Sequence, residues 1–151
     1  MTRISYTDVA PAAYKAMLGL EQYVRGSGLE HSLLELVKAR ASQINGCAYC
    51  LDMHTKEARA VGETEQRLYL LPAWREAPYY TPRERTALAW TEAVTQLGPY
   101  GVSDELHRAT REHFDEKGLM DLTMAIIAIN GWNRLATAFQ AEEVGSYVVR
   151  P

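Results

Sequence analysis

The sequence predicts an all-α domain of about seven helices, and three observations predict it. No stretch shows the period-2 alternation of a half-buried strand. Apolar residues recur at helical spacing instead, as at Leu33, Leu34, Val37, Ala41 and Ile44. Helix start and stop signals punctuate the rest: Asn45-Gly46, Gly62, Thr81-Pro82, Gly98-Pro99 and Ser103. With 151 residues the chain suits one domain spanning 1–151, long enough for a sizeable core.

Thr7 or Asp8 opens the first helix, with Pro11 in its first turn. Tyr14, Met17, Leu18 and Tyr23 give it an apolar stripe, and Gly26-Ser27-Gly28 ends it. The second helix runs from about Glu30 to Ile44. The tight Asn45-Gly46 turn leads into a third, Ala48 to Ala60, which is free of Pro and Gly and closed by Gly62. Glu63 to Leu71 is a short fourth helix stopped by Pro72, and Trp74 to Tyr80 is a loop. Thr81-Pro82-Arg83-Glu84 is a capping box with proline at the first helical position, starting a helix that Gly98-Pro99 stops. Ser103 caps a sixth helix to about His113. The last runs from about Gly118 to Phe139 and is apolar over most of its circumference, so it belongs in the core or under a second subunit. The tail from Ala141 is short enough to fray.

Composition narrows the function. A net charge of −3 leaves no basic excess for nucleic acid and no polybasic segment for a membrane. The longest apolar run, near Met124 to Ile129, is far too short to span a bilayer. Met1 to Ala10 lacks the apolar core of a secretory signal, so the expected setting is cytoplasmic. There, a Cys-x-x-Cys pair reads as catalytic or metal-binding before it reads as a structural cross-link.

That pair is Cys47 and Cys50, the only cysteines, with His54 four residues beyond the second. On a helix counted from Cys47, Cys50 falls near 300° and His54 near 340°, so all three share an arc of about 60°. Leu51, Ala58 and Val61 lie on or beside that arc, while Asp52, Lys56 and Arg59 lie opposite. A thiol near a helix N-terminus is favoured as thiolate by the dipole. A histidine one turn on can take its proton, and a second thiol at this distance can close a disulfide with little backbone movement. The dipole points to Cys47 as the activated sulfur; the i,i+4 relation to His54 points to Cys50.

Glu35 precedes the turn by about as many residues as His54 follows it. In an antiparallel hairpin both stand roughly 12–15 Å from the bend, where a carboxylate could orient the imidazole and strengthen it as a base. On its own helix, however, Glu35 lies about 150° from the centre of the apolar arc, the place of a solvated residue. Enclosing it requires that side to pack as well, for instance against another subunit. Two other readings stand beside this one: two inert core cysteines, or a zinc site of Cys47, Cys50, His54 and Glu35. His31, His107 and His113 lie on polar stretches and receive no role. Trp132 and Asn133-Arg134 read as packing and helix-end residues. Tyr49 falls on the outer face of its helix, where a neighbouring subunit could meet it.

Glu35-x11-Cys47-x2-Cys50-x3-His54 resembles the active-site motif of the alkylhydroperoxidase D group, within the carboxymuconolactone decarboxylase-like superfamily. Asn130-Gly131-Trp132-Asn133-Arg134-Leu135 resembles that group's C-terminal core helix. The resemblance implies an all-α fold, homo-oligomers (commonly trimers or hexamers), and peroxidase or thiol-disulfide exchange activity without haem or metal. It implies Cys50 as the peroxide-attacking thiol, Cys47 as the resolving thiol, His54 as proton acceptor and Glu35 as its polarising partner. It further implies an organic hydroperoxide as substrate and a lipoamide-type or thioredoxin-like dithiol as reductant. The alternative is a thiol-disulfide oxidoreductase or redox sensor acting on a protein partner. The chain departs from the pattern at Tyr49, where the best-studied members carry a second relay histidine, and so has one proton carrier fewer. The decarboxylase branch lacks the cysteine pair, so decarboxylation is not expected.

Overall fold

A proline sets the first break in the chain. In the computed structural model, which describes residues 2–150, the first helix is divided: α1 (Tyr6–Val9) is a single turn and α2 (Pro11–Arg25) starts afresh. Ala10 between them has φ −143°, because a residue preceding proline is pushed out of the helical region. The remaining elements are α3 (His31–Asn45), α4 (Ala48–Ala60), α5 (Glu65–Leu70), a 3₁₀ turn at Leu71–Ala73, α6 (Pro82–Thr95), α7 (Asp104–Arg111) and α8 (Glu116–Phe139). The described residues thus form eight α-helices and no strand. The all-α expectation holds, with one helix more than the seven expected.

Caps account for most boundaries. The Thr81–Glu84 box is complete: Glu84 N–H donates to Thr81 Oγ1 at 3.2 Å, and Thr81 N–H donates to the Glu84 carboxylate at 2.8 Å. Ser103 caps α7 through Leu106 N–H. Helix α8 begins two residues before Gly118, because Asp115 caps it by accepting Gly118 N–H at 2.6 Å.

Helix α3 is the axis of the domain, packed on α4, α6 and α8. Leu36 and Val37 are fully enclosed, and so are Leu122, Ile126 and Ile129 of α8 or nearly so. Each such side chain contributes roughly 1.5–3 kcal/mol over an exposed one. Core placement of α8 is therefore satisfied within the single chain, though Met120 and Ile127 remain exposed. No helix among the described residues is long and apolar enough to cross a membrane.

A polar clamp fixes the end of α3 to α8. Asn45 donates to Asn130 Oδ1 at 3.0 Å and to Asn133 Oδ1 at 2.9 Å, and buried Asn133 donates to Ser42 Oγ at 3.0 Å. The packing reading of Asn133 therefore has a specific content: it holds the turn that delivers the cysteines. The C-terminal tail is not frayed. Lys56 Nζ donates to the carbonyl of Tyr147 at 3.0 Å, and the Tyr147 hydroxyl donates to Glu57, so the tail lies along α4.

Candidate active site

The turn between α3 and α4 uses the one backbone conformation that glycine adopts without strain. Gly46 has φ 64° and ψ 31°, the left-handed region, and Cys47 N–H bonds back to the Ser42 carbonyl at 3.0 Å, closing α3. Cys47 is consequently the N-cap of α4 rather than a residue within it, with φ −86° and ψ 95°. The helical wheel counted from Cys47 therefore starts one residue early. Cys47 Sγ accepts the Cys50 N–H at 3.4 Å, so it occupies the positive end of the helix directly.

Cys47 and Cys50 are joined as a disulfide, with Cα atoms 5.4 Å apart. Both are buried, in a small cluster with Ala41 and Ile129, against which Trp132 and Ala136 pack. His54 follows one turn after Cys50 on the same helix and is also buried.

Glu35 is where the wheel and the structure disagree. It is 4 % exposed, not solvated, and Glu35 Oε2 lies 2.8 Å from His54 Nδ1. The enclosure needs no second subunit. Helix α4 folds back along the polar side of α3 and covers it. Burial pushes the Glu35 carboxyl up. The His54 hydrogen bond and the positive charges of His54, Lys38 and His31 outweigh that and hold it below the usual carboxylate range. An ionised carboxylate only accepts, so Nδ1 is the protonated ring nitrogen and carries the donor. In the neutral ring, Nε2 is then the free base.

Three further titratable groups complete the site, and none was expected from the sequence. His31 Nε2 lies 3.2 Å from Glu35 Oε1, so each carboxylate oxygen serves a different histidine; the His31 side chain is 60 % exposed. The i,i+4 spacing of His31 and Glu35 was the available signal. Lys38, one turn beyond Glu35, is buried and paired with Glu21 of α2. Burial pushes Glu21 up, but Lys38, Arg25 and His54 hold it below its ordinary value. Glu21 also accepts from Trp132 Nε1 at 3.3 Å. Nothing in the linear order of Glu21 and Trp132 marks that contact.

These groups line one cavity of about 560 Å³ with Cys50 in its wall. Trp132 lines it as well, edge-on to Tyr14 at 5.9 Å while packing on the cysteine cluster. Tyr49 is there too, half-buried beside Cys50 rather than on an outward face. Burial, then the nearby Glu142 and Asp52 carboxylates, raise its hydroxyl above the ordinary tyrosine value. No group of three or more His, Cys, Asp or Glu among the described residues is arranged to hold a metal ion.

Fold and site together define an all-helical protein with a paired-cysteine centre set beside a buried histidine–carboxylate couple. The chain belongs to the carboxymuconolactone decarboxylase family, whose model matches residues 11–93. That span runs from α2 into α6 and contains all four motif residues. A relative from Bacillus subtilis (strain 168), the uncharacterized protein YdfG, is 46 % identical over 136 residues, covering 90 % of this chain and 92 % of its own. A crystal structure from Agrobacterium tumefaciens, of a protein of unknown function described as a candidate antioxidant defence protein AhpD, superposes with TM-score 0.90. It is 47 % identical and covers 95 % of this chain and 98 % of its own. An uncharacterized peroxidase-related protein from Ralstonia eutropha JMP134, described as an alkylhydroperoxidase AhpD core, shares the fold. Its TM-score is 0.79 at 20 % identity, over 90 % of this chain and 73 % of its own. The AhpD-like superfamily resemblance read from the motif therefore stands.

Proposed function

We propose that this protein is a thiol-dependent peroxidase that reduces organic hydroperoxides through a dithiol–disulfide cycle. The observation that carries the reading is the Glu35–His54 bond at 2.8 Å, one turn from a sulfur that already pairs with a second sulfur. In the reduced protein His54 Nε2 takes the Cys50 proton. The thiolate attacks the terminal oxygen of the hydroperoxide, the O–O bond breaks, and the alkoxide leaves as alcohol with the proton held on His54. Cys50 is then a sulfenic acid. The Cys47 thiol condenses with it, releasing water and forming the disulfide. An external dithiol of lipoamide type or thioredoxin-like restores the pair in the cytosol, and the working form is a homo-oligomer.

The family membership and the Agrobacterium relative support this reading. A second reading, a thiol-disulfide oxidoreductase or redox sensor acting on a protein, draws on Tyr49, which leaves the site one proton carrier short. Counting thiols before and after one equivalent of organic peroxide separates them. Under the peroxidase reading the wild type loses both thiols, Cys47→Ser stops at a sulfenic acid, and Cys50→Ser keeps its remaining thiol. Turnover retained without Cys50 would remove the assignment.

A further inference from the structure

The disulfide stands between two cavities, and each cavity is lined by a different one of its cysteines. The one described above, about 560 Å³, has Cys50 in its wall with His54 and Glu35 and does not include Cys47. A second, about 610 Å³, has Cys47 in its wall with Gly46, Ala48, Thr137 and Gln140 and does not include Cys50. Tyr49, Ala136 and Glu142 belong to both and form the partition. Glu142 is held there by the Tyr6 hydroxyl on one oxygen; its other oxygen is buried without a protein partner among the described residues.

We propose that the two half-reactions use opposite entrances: the oxidant reaches Cys50 through the His54 cavity, and the reducing dithiol attacks Cys47 through the Thr137 cavity. This rests on the peroxidase reading for the direction of oxidation only. In the reducing step a donor thiolate sulfur bonds to Cys47 Sγ. The Cys47–Cys50 bond breaks, and its electron pair leaves on Cys50 as thiolate; His54, one turn along α4, passes to it a proton that the donor thiol has released to solvent. The donor's second thiol then loses its proton and attacks the donor sulfur bound to Cys47. Cys47 departs as thiolate and is protonated, and the donor leaves as its own disulfide. Two protons leave the donor and two are taken up by the protein thiols. The reverse attack, on Cys50, would expel the thiolate at Cys47, away from the only imidazole in the site's helix.

The lining also selects the donor. Cys47 is only 2 % exposed, so a slender thiol group is needed to reach it. The cavity walls carry Glu142 and Glu143 and, among the described residues, no cationic side chain. A neutral small dithiol fits that field, and an anionic one is repelled.

Three measurements on the oxidised full-length protein test this. A neutral monothiol, 2-mercaptoethanol, is added and the mixture is quenched within milliseconds by acid and alkylation. Peptide mapping is expected to find the adduct on Cys47 and the alkyl label on Cys50; the opposite pattern overturns the proposal. Reduction by dithiothreitol is expected to slow at least tenfold in Thr137→Trp, and in the smaller-step Ala48→Phe should the first fold poorly. Leu18→Trp, which intrudes on the other cavity, is expected to slow it less than twofold. Equal slowing by both fillings overturns the two-entrance arrangement. Dimercaptosuccinate is expected to reduce the disulfide at least tenfold more slowly than dithiothreitol, and parity would overturn the donor class. A wild type that shows this reduction pattern but ignores hydroperoxide would remove the peroxidase reading and leave the Cys47 entrance standing.

Discussion

Glu35 and His54 lie nineteen residues apart in the chain and on different helices, yet a single hydrogen bond of 2.8 Å joins them in the interior. The bond fixes the ring tautomer and aims the unprotonated nitrogen away from the carboxylate. It makes the histidine a base with a defined direction. Removing the carboxylate is expected to uncouple that direction from the fold.

Glu35→Ala is accordingly expected to lower the second-order rate of Cys50 oxidation by hydroperoxide on the order of 10²-fold, the lower end of what a positioned acid–base group contributes. Glu35→Gln keeps an acceptor for Nδ1 but loses the charge and should fall between the two. Stopped-flow fluorescence with a model alkyl hydroperoxide reads both. Equal rates in all three proteins would leave Glu35 no part in the chemistry.

Acid stability follows from the same carboxylate. Glu35 and Glu21 are both held below the ordinary value of 4.5 in the folded state. A depressed folded value stabilises the protein above the unfolded value, and that stabilisation is lost as pH falls through the folded one. Tm is therefore expected to change little from pH 7 to about 5 on account of these two groups, and to drop below about 4.5. Glu21→Gln should flatten that drop. A Tm that rises on acidification through this range would contradict the sign.

Lys38 is 3 % exposed and its charge is answered by Glu21. Lys38→Met leaves the half-buried Glu21 carboxylate with only the more distant Arg25 guanidinium, at 3.5 Å, and is expected to cost about 1–3 kcal/mol, readable by urea denaturation. The double replacement Glu21→Leu, Lys38→Met removes both charges and should recover part of that loss. A double variant less stable than Lys38→Met alone would show that the pair is not the source of the effect.

Tyr49 lies inside the cavity and next to Cys50, at the one position where the motif departs from the pattern it resembles. Burial and Glu142 raise its hydroxyl above the ordinary tyrosine value, so it stays a neutral phenol near neutral pH and offers no phenolate to take a proton. Tyr49→His is expected to raise the peroxide oxidation rate several-fold between pH 6 and 8, measured by the same stopped-flow assay. A decrease would assign the tyrosine ring a positive role that the imidazole cannot fill.

Much of this was written along the chain. The Thr81–Glu84 box, the Ser103 cap, the Gly46 turn and the Cys-x-x-Cys-x3-His spacing are short-range features, and local backbone preference decides them wherever they occur. They were enough for an all-helical domain and for the sulfur–imidazole grouping on α4. What no linear pattern carried was the environment of the charged residues. A single helix wheel places Glu35 in water, because it knows only one helix; the structure buries it because α4 folds back onto that side of α3. The partnership of Lys38 with Glu21, the place of Trp132 in the cavity wall and the inward position of Tyr49 arise in the same way. Each depends on contacts between helices distant in sequence, and a buried charge is tolerated only where such a contact supplies its counterpart.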